Sequence, residues 1–224
     1  MFNSVSDISL PPTKVVASFA RCNRPFQNKF YGSENRPTSF FELVEYWAET
    51  KNIGDKILVT IGLWCTKAPL ITLIITSPNP EMRNSEFDKF HGKALDKFIS
   101  EQQGETKDAV TLFYQFLFEK FRKPAKHDPL TYIITSAYCN VAFLYGKRQD
   151  IKANAVMYPS VPFGGQGVNF AVNPDYIKPD NIELREVMCN ELTISANKEL
   201  KYDFTETNKW TVGKINQATN VLTW

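Results

Sequence analysis

The sequence predicts an α+β fold in which strands lie toward both ends of the chain and helices are inserted between them. Residues 56–64 and 69–76 are rich in Ile, Val, Leu and Thr and are bounded by Gly54-Asp55 and Ser77-Pro78-Asn79-Pro80, the pattern of strands closed by turns. From about Asn84 to Tyr145 the period changes. Phe87, Phe90, Ala94, Leu95, Phe98 and Ile99 recur at three and four, as do Val110, Phe113, Tyr114, Leu117 and Phe121, so two amphipathic helices are expected there. A β pattern then returns over 153–158, 168–172 and 181–188.

Taken in order, residues 15–20 form a short β-like run that delivers Arg21 at its end. Pro37-Thr38-Ser39 reads as a helix start, with the helix over 40–49. The two strands 56–64 and 69–76 are expected in one sheet. After the two helices, a third runs from about Asp128, with Pro129 in its first turn, toward Tyr145, where Gly146 ends it. A polar connector, 147–152, leads into the later strands, and segments 198–203 and 211–215 read as a further strand or an irregular tail. There is no internal repeat or low-complexity segment. Residues 1–224 are therefore read as a single domain, with a core of about 15–188 and a C-terminal strand or tail, 189–224. The aromatic stripes at helical spacing are read as core rather than as a cofactor box.

Composition narrows the function classes. At 224 residues and 43% hydrophobic, the chain can bury a sizeable core without staples. Lys+Arg 26 against Asp+Glu 24 leaves a net charge of +2, too small to argue for a nucleic-acid or anionic-membrane partner. The longest apolar run, 68–75, is broken by Pro69 and Thr72 and falls far short of the ~20 residues a membrane helix needs. The opening Met1-Phe2-Asn3-Ser4-Val5-Ser6-Asp7 has neither a basic nor an apolar stretch of an export signal. A cytoplasmic location is expected. Cys22, Cys65, Cys139 and Cys189 show no C-x-x-C spacing, and only His91 and His127 could join them. No metal is expected, and the cysteines are read as reduced thiols, buried or half-buried. A Cys/His nucleophilic pair stays open, because such pairs meet in space rather than in order.

The residues that carry chemistry cluster first between 21 and 42. Arg21, Tyr31 and Glu42 follow one another at intervals of ten and eleven residues. An arginine at the end of an extended run can present its planar fork to two phosphate oxygens. Arg24 competes for that role, although Pro25 pushes its backbone toward extended geometry. Tyr31, just before Gly32-Ser33, can stack on a cationic pyridinium, an attraction of about 0.5–2 kcal/mol. Glu42 has two readings. Ser39-x-x-Glu42 fits a capping box, in which the glutamate serves the helix alone. As a site residue, it would accept from a ribose hydroxyl and face the positive charge that grows as a glycosidic bond breaks. Glu45, one turn later, is its natural substitute. Downstream, Tyr158-Pro159-Ser160-Val161 runs into the loop Phe163-Gly164-Gly165-Gln166-Gly167, flexible enough to let backbone approach a ligand. Ser160 and Asn169 supply compact hydrogen-bonding groups at its edges.

As a set, these segments resemble the RES family, named for its arginine, glutamate and serine. The matching stretches are Arg21-Cys22-Asn23, Tyr31-Gly32-Ser33 and Thr38-Ser39-Phe40-Phe41-Glu42, then Tyr158-Pro159-Ser160 and Gly167-Val168-Asn169-Phe170-Ala171. Tyr132-Ile133-Ile134-Thr135 is similar to the start of the helix that precedes the family's later strand, and the resemblance covers roughly 15–188. Three features depart from the family's pattern: Ala20 where a glycine is common, Cys22 as a neighbour of the arginine, and a longer, more helical stretch over 84–126.

The resemblance implies an ADP-ribosyltransferase-like split β-sheet with inserted helices, and consumption of NAD as substrate without a metal. It implies cleavage of the nicotinamide–ribose bond by water or phosphate, with transfer of ADP-ribose to a protein as an alternative and a non-catalytic binding or interaction protein as another. It gives Arg21, Tyr31, Glu42 and Ser160 catalytic roles. Arg21 would clamp phosphate, Tyr31 would stack on nicotinamide, and Glu42 would bind ribose and stabilise the oxocarbenium-like state. NAD would be held by Arg21, Asn23, Tyr31, Ser33, Ser160 and Asn169. Members of the family are often toxins covered by an antitoxin protein, so such a partner is expected here, and self-association is left open.

Overall fold

The computed structural model describes residues 1–124, 128–148, 153–198 and 201–224, with 45–46, 145–148, 196–198 and 201–202 at the backbone only. After two short 3-10 turns, the order is β1 (Phe30–Ser33), α1 (Arg36–Ala48), β2 (Lys56–Thr66), β3 (Thr72–Ile74), α2 (Glu86–Ser100), α3 (Gly104–Arg122), α4 (Pro129–Arg148), β4 (Ala155–Pro159), β5 (Val168–Val172), β6 (Ile182–Lys198), β7 (Lys201–Thr211), β8 (Lys214–Asn216) and β9 (Val221–Thr223). The fold is α+β, with three helices inserted between β3 and β4.

The strands form two main sheets. One has the order β1-β5-β4-β3, antiparallel except for the parallel β3/β4 pair; the other has the order β2-β6-β7 and is antiparallel throughout. The hairpin β8-β9 is a separate two-stranded sheet whose Leu222 packs on Leu184 and Val187 of β6. Side chains alternate across a strand, and the first sheet buries both of its faces. Val156, Tyr158 and Ala171 pack on Leu117 and Phe121 of α3 and on Cys139 of α4. Phe30, Ala155 and Val172 pack on Tyr176 and Ile182 from the opposite side. Helix α1 covers the second sheet through Val44, which meets Val59 and Leu192. Among the described residues, no helix is long and apolar enough to cross a membrane.

Four expectations need correction. Residues 15–20 do not form a strand. The chain makes a 3-10 turn at Thr13–Val15, and Arg21 is delivered by a tight turn in which the Ala20 N–H donates to Asn23 O at 2.9 Å. Val15 and Phe19 remain exposed, and a β-favouring run without a sheet to pack against has nothing to hold it extended. The strands expected at 56–64 and 69–76 lie in different sheets, because β2 pairs along its whole length with β6. Helix α1 begins four residues early, at Arg36: Asn35 Oδ1 accepts from the Thr38 N–H at 2.9 Å, placing Pro37 within the first turn. Helix α4 passes Gly146 and runs to Arg148.

The C-terminal region is more regular than a tail. Met188 and Cys189 are consecutive residues of β6, so the boundary expected there falls inside a strand. The chain ends by returning to its start: the Leu222 N–H donates to Asn3 O, and the Trp224 indole donates to Phe2 O. The connector expected at 147–152 lies outside the described residues from 149 onward.

Candidate active site

Strand register assembles the site. On β5, Asn169 is paired with Ser33 of β1 on one side and with Tyr158 of β4 on the other; two residues along, Ala171 lies between Tyr31 and Val156. With a period of two, Tyr31, Ser33, Asn169 and Tyr158 share one face. Across this row runs a directed hydrogen-bond chain. Ser33 Oγ donates to Asn169 Oδ1 at 2.7 Å, and Asn169 Nδ2 donates to Glu42 Oε1 at 2.6 Å. Ser160, just past the end of β4, donates its hydroxyl to the same oxygen at 2.7 Å. Glu42 Oε1 is thus held from two sides.

The capping-box reading of Glu42 is corrected by this geometry. Ser39 lies inside α1, its N–H donating to Asn35 O, and the cap is Asn35. Glu42 is therefore a second-turn residue aimed across the gap between helix and sheet. Its substitute, Glu45, has a side chain outside the described residues.

Tyr31 divides its polarity by end. The phenol accepts from the Cys22 N–H at 3.1 Å and donates to Asn23 Oδ1 at 2.7 Å, while 41% of the residue stays exposed. The hydroxyl is locked, and the residue lines the cleft between the two sheets. Burial of that hydroxyl end, with the neighbouring Cys22 thiol, pushes the phenol pKa well up. Arg21 is mostly buried, and its guanidinium is engaged by the protein. Two of its N–H groups donate to Lys120 O and Lys123 O at 3.3 and 3.2 Å, satisfying carbonyls at the end of α3, and the guanidinium carbon lies 5.4 Å from the Tyr132 ring centroid. Arg24 is exposed and belongs to a turn with Gln27.

A cleft of about 1040 Å³ opens between the two sheets; Arg21, Tyr31, Ser33, Glu42 and Asn169 line it from one side, Gly62, Trp64 and Met188 from the other. The structure thus brings together five of the seven residues singled out for catalysis or NAD binding. Asn23 and Ser160 do not line the cleft. Both are buried, Ser160 completely, and they hydrogen-bond to Tyr31 and Glu42.

Several lining residues were not singled out from the sequence. Glu34 accepts from the Val168 N–H at 3.1 Å, and its carboxyl pKa is raised by burial and by the charge of Asp88. Arg36 donates to Asn190 Oδ1 at 2.9 Å and stands 3.5 Å from the Glu206 carboxylate. Phe87 and Tyr132 add aromatic wall. Asn35 followed by Pro37 is an N-cap signature, and reading it would have placed Glu34 and Arg36 at the mouth of α1.

The glycine loop packs against the first turn of α1. A Cβ at Gly167 would sit 2.1 Å from Thr38 Oγ1, so the start of β5 presses against the first turn of α1. Phe163 stacks on Phe41, ring centroids 4.9 Å apart. The cysteines are free thiols; Cys22, Cys139 and Cys189 are buried, and Cys65 is partly so. Burial and the adjoining Cys139 thiol raise the Cys22 pKa, which keeps it protonated and unsuited to nucleophilic attack. His91 packs between Phe87 and Phe90, and His127 lies outside the described residues. Among the described residues, no cluster of His, Cys, Asp and Glu could hold a metal.

Compared with known proteins, the chain matches no family model, no curated protein and no solved structure.

Proposed function

We propose that this chain degrades NAD by breaking the nicotinamide–ribose bond, on an ADP-ribosyltransferase-like split-sheet fold of the RES type. The observation that carries the reading is Glu42: one carboxylate oxygen is fixed by Ser160 and Asn169, and the residue lines a cleft shared with Arg21 and Tyr31. A preoriented carboxylate needs no reorganisation when a sugar becomes cationic, which is how electrostatic catalysis gains most.

In the proposed reaction nicotinamide stacks on Tyr31, and the C1′–N1 bond breaks with its electron pair passing to the ring nitrogen. The pyridinium leaves as neutral nicotinamide, so no strong acid is required. The positive charge left on the ribose is stabilised by Glu42, while Arg21 and Arg36 supply cationic character for phosphate. Water or phosphate then adds to C1′ and releases a proton. A protein nucleophile in the same place would make the chain an ADP-ribosyltransferase. An antitoxin-like protein that covers the cleft belongs to the same proposal.

The test is incubation of the purified chain with NAD, with and without phosphate, reading free nicotinamide. Release is expected, with ADP-ribose or its phosphate adduct as co-product. Label retained on a macromolecule selects transfer. No release, together with no heat on titration with NAD, overturns the enzymatic reading.

A further inference from the structure

We infer that Arg36 is the residue that grips the phosphates of the cleft's ligand, and that the Glu206 carboxylate competes for it. The inference rests on the reading that the cleft takes NAD, whose diphosphate needs a cationic partner. Among the described residues, two cations line the cleft, Arg21 and Arg36, against the carboxylates of Asp7, Glu34, Glu42 and Glu186. A lining of that sign repels a diphosphate unless a cation meets it directly. Arg21 is 8% exposed, and its guanidinium is engaged by Lys120 O, Lys123 O and the Tyr132 ring. The accessible cation is Arg36.

The local sequence puts Arg36 where a helix gains nothing from a cation. It is the first residue of α1, and the first turn carries no acidic residue. A cation there opposes the positive end of the helix dipole, whereas an anion brought to it satisfies both. Tertiary contacts then hold the guanidinium ready. Nη2 donates to Asn190 Oδ1 at 2.9 Å, and Asn190, 3% exposed on β6, donates its own amide to the Glu206 carboxylate on β7. That carboxylate stands 3.5 Å from the same Nη2. Among the described residues, Asn190 is the guanidinium's one hydrogen-bond partner, so the rest of the planar fork is left for a ligand.

Glu206 offers Arg36 a pair of anionic oxygens, the same kind of group that a phosphate offers. The side chains of this pair are 44% and 46% exposed, and ion pairs so open to water are weak. A phosphate that takes two donors of the fork can therefore replace the carboxylate. Substitutions of the two residues then act in opposite directions: loss of the arginine's charge weakens phosphate binding, and loss of the glutamate's charge strengthens it. A guanidinium that only tied α1 to β7 would give two less stable variants and no tighter binding in either.

ADP is the probe, since it carries the diphosphate and lacks the nicotinamide–ribose bond; it is titrated calorimetrically into the purified full-length chain at low ionic strength. Arg36→Gln should weaken ADP binding by ~10–100-fold, the loss of a charge-assisted contact. The same variant should raise KM for NAD with kcat little changed, because the phosphates lie away from the bond that breaks. Arg36→Lys should recover part of the loss, as a point charge without the fork. Glu206→Gln keeps an oxygen for Asn190 and should tighten ADP binding by about threefold. Should Arg36→Gln fail to fold, Glu206→Gln, on the edge strand β7, carries the test. A wild-type chain that binds no ADP at millimolar concentration, an Arg36→Gln chain that binds it within about twofold of wild type, or a Glu206→Gln chain that binds it no tighter than wild type would each overturn the inference. Nicotinamide release alongside any of these leaves the enzymatic reading standing. The expected ADP pattern without nicotinamide release keeps the phosphate site and overturns the enzyme.

Discussion

Replacing Glu42 with glutamine separates its charge from its place in the structure. The glutamine side chain can offer Oε1 to Ser160 and Asn169 in the geometry that the carboxylate uses, at 2.7 and 2.6 Å. The two bonds lose charge assistance, while the site no longer desolvates an anion. These terms oppose each other and leave the fold within about 1 kcal/mol of wild type, or ~2–4 °C in Tm for a chain of this length. The proposed NAD cleavage would respond differently, because the loss would fall on its cationic transition state. Removal of one preoriented electrostatic group typically costs about 2.7–4 kcal/mol, a 10²–10³-fold drop in rate.

Glu42→Ala provides the contrast. It strands the donors of Ser160 and Asn169, both buried, at ~1–3 kcal/mol each, so it should melt well below both wild type and Glu42→Gln. Nicotinamide release from NAD and thermal melting, measured on all three proteins, form the assay. The reasoning is refuted if Glu42→Gln releases nicotinamide within threefold of wild type, or if it melts as low as the alanine variant.

Three further outcomes are expected. Tyr31→Phe keeps the ring and loses the hydroxyl that ties Cys22 to Asn23, so it should lower stability by about 1–3 kcal/mol and leave KM for NAD nearly unchanged; Tyr31→Leu should raise KM instead, and steady-state kinetics with melting curves distinguish the two. Glu34 has a folded pKa raised above 4.5, so the stability it contributes is fully present below that value and lost as pH rises through the folded pKa. Glu34→Gln should therefore melt above wild type at neutral pH and lose that advantage in acid, as a pH series of melting curves would show. Gly167→Ala forces a Cβ to 2.1 Å from Thr38 Oγ1. Its cost of roughly 1–3 kcal/mol should appear as a lower Tm, and a melting temperature equal to wild type would contradict the close approach of β5 to α1.

Legibility in the sequence followed the range of each interaction. The helices α2 and α3 were readable because their apolar residues repeat within a few positions, and β5 was readable to the residue because turns bound it on both sides. The partners of β2 were not. Its neighbour β6 lies over a hundred residues away, and a pairing of that separation leaves no local periodicity. The start of α1 was misplaced because Ser39 was read as its cap, whereas Asn35, four residues earlier, is the side chain that accepts a first-turn backbone N–H.

By itself the sequence determined the chemistry on offer: a cation at 21, an aromatic at 31, a carboxylate at 42 and small polar groups at 160 and 169, on an α+β chain of almost neutral charge. Only the tertiary structure decided what each side chain does with that chemistry. It engaged Arg21 with the end of α3, buried Ser160 behind Glu42 and Asn23 behind Tyr31, and opened one cleft between two sheets. The physical reason is that a side chain's identity is local, whereas its burial and its hydrogen-bond partners depend on segments far along the chain that meet only when the sheets close.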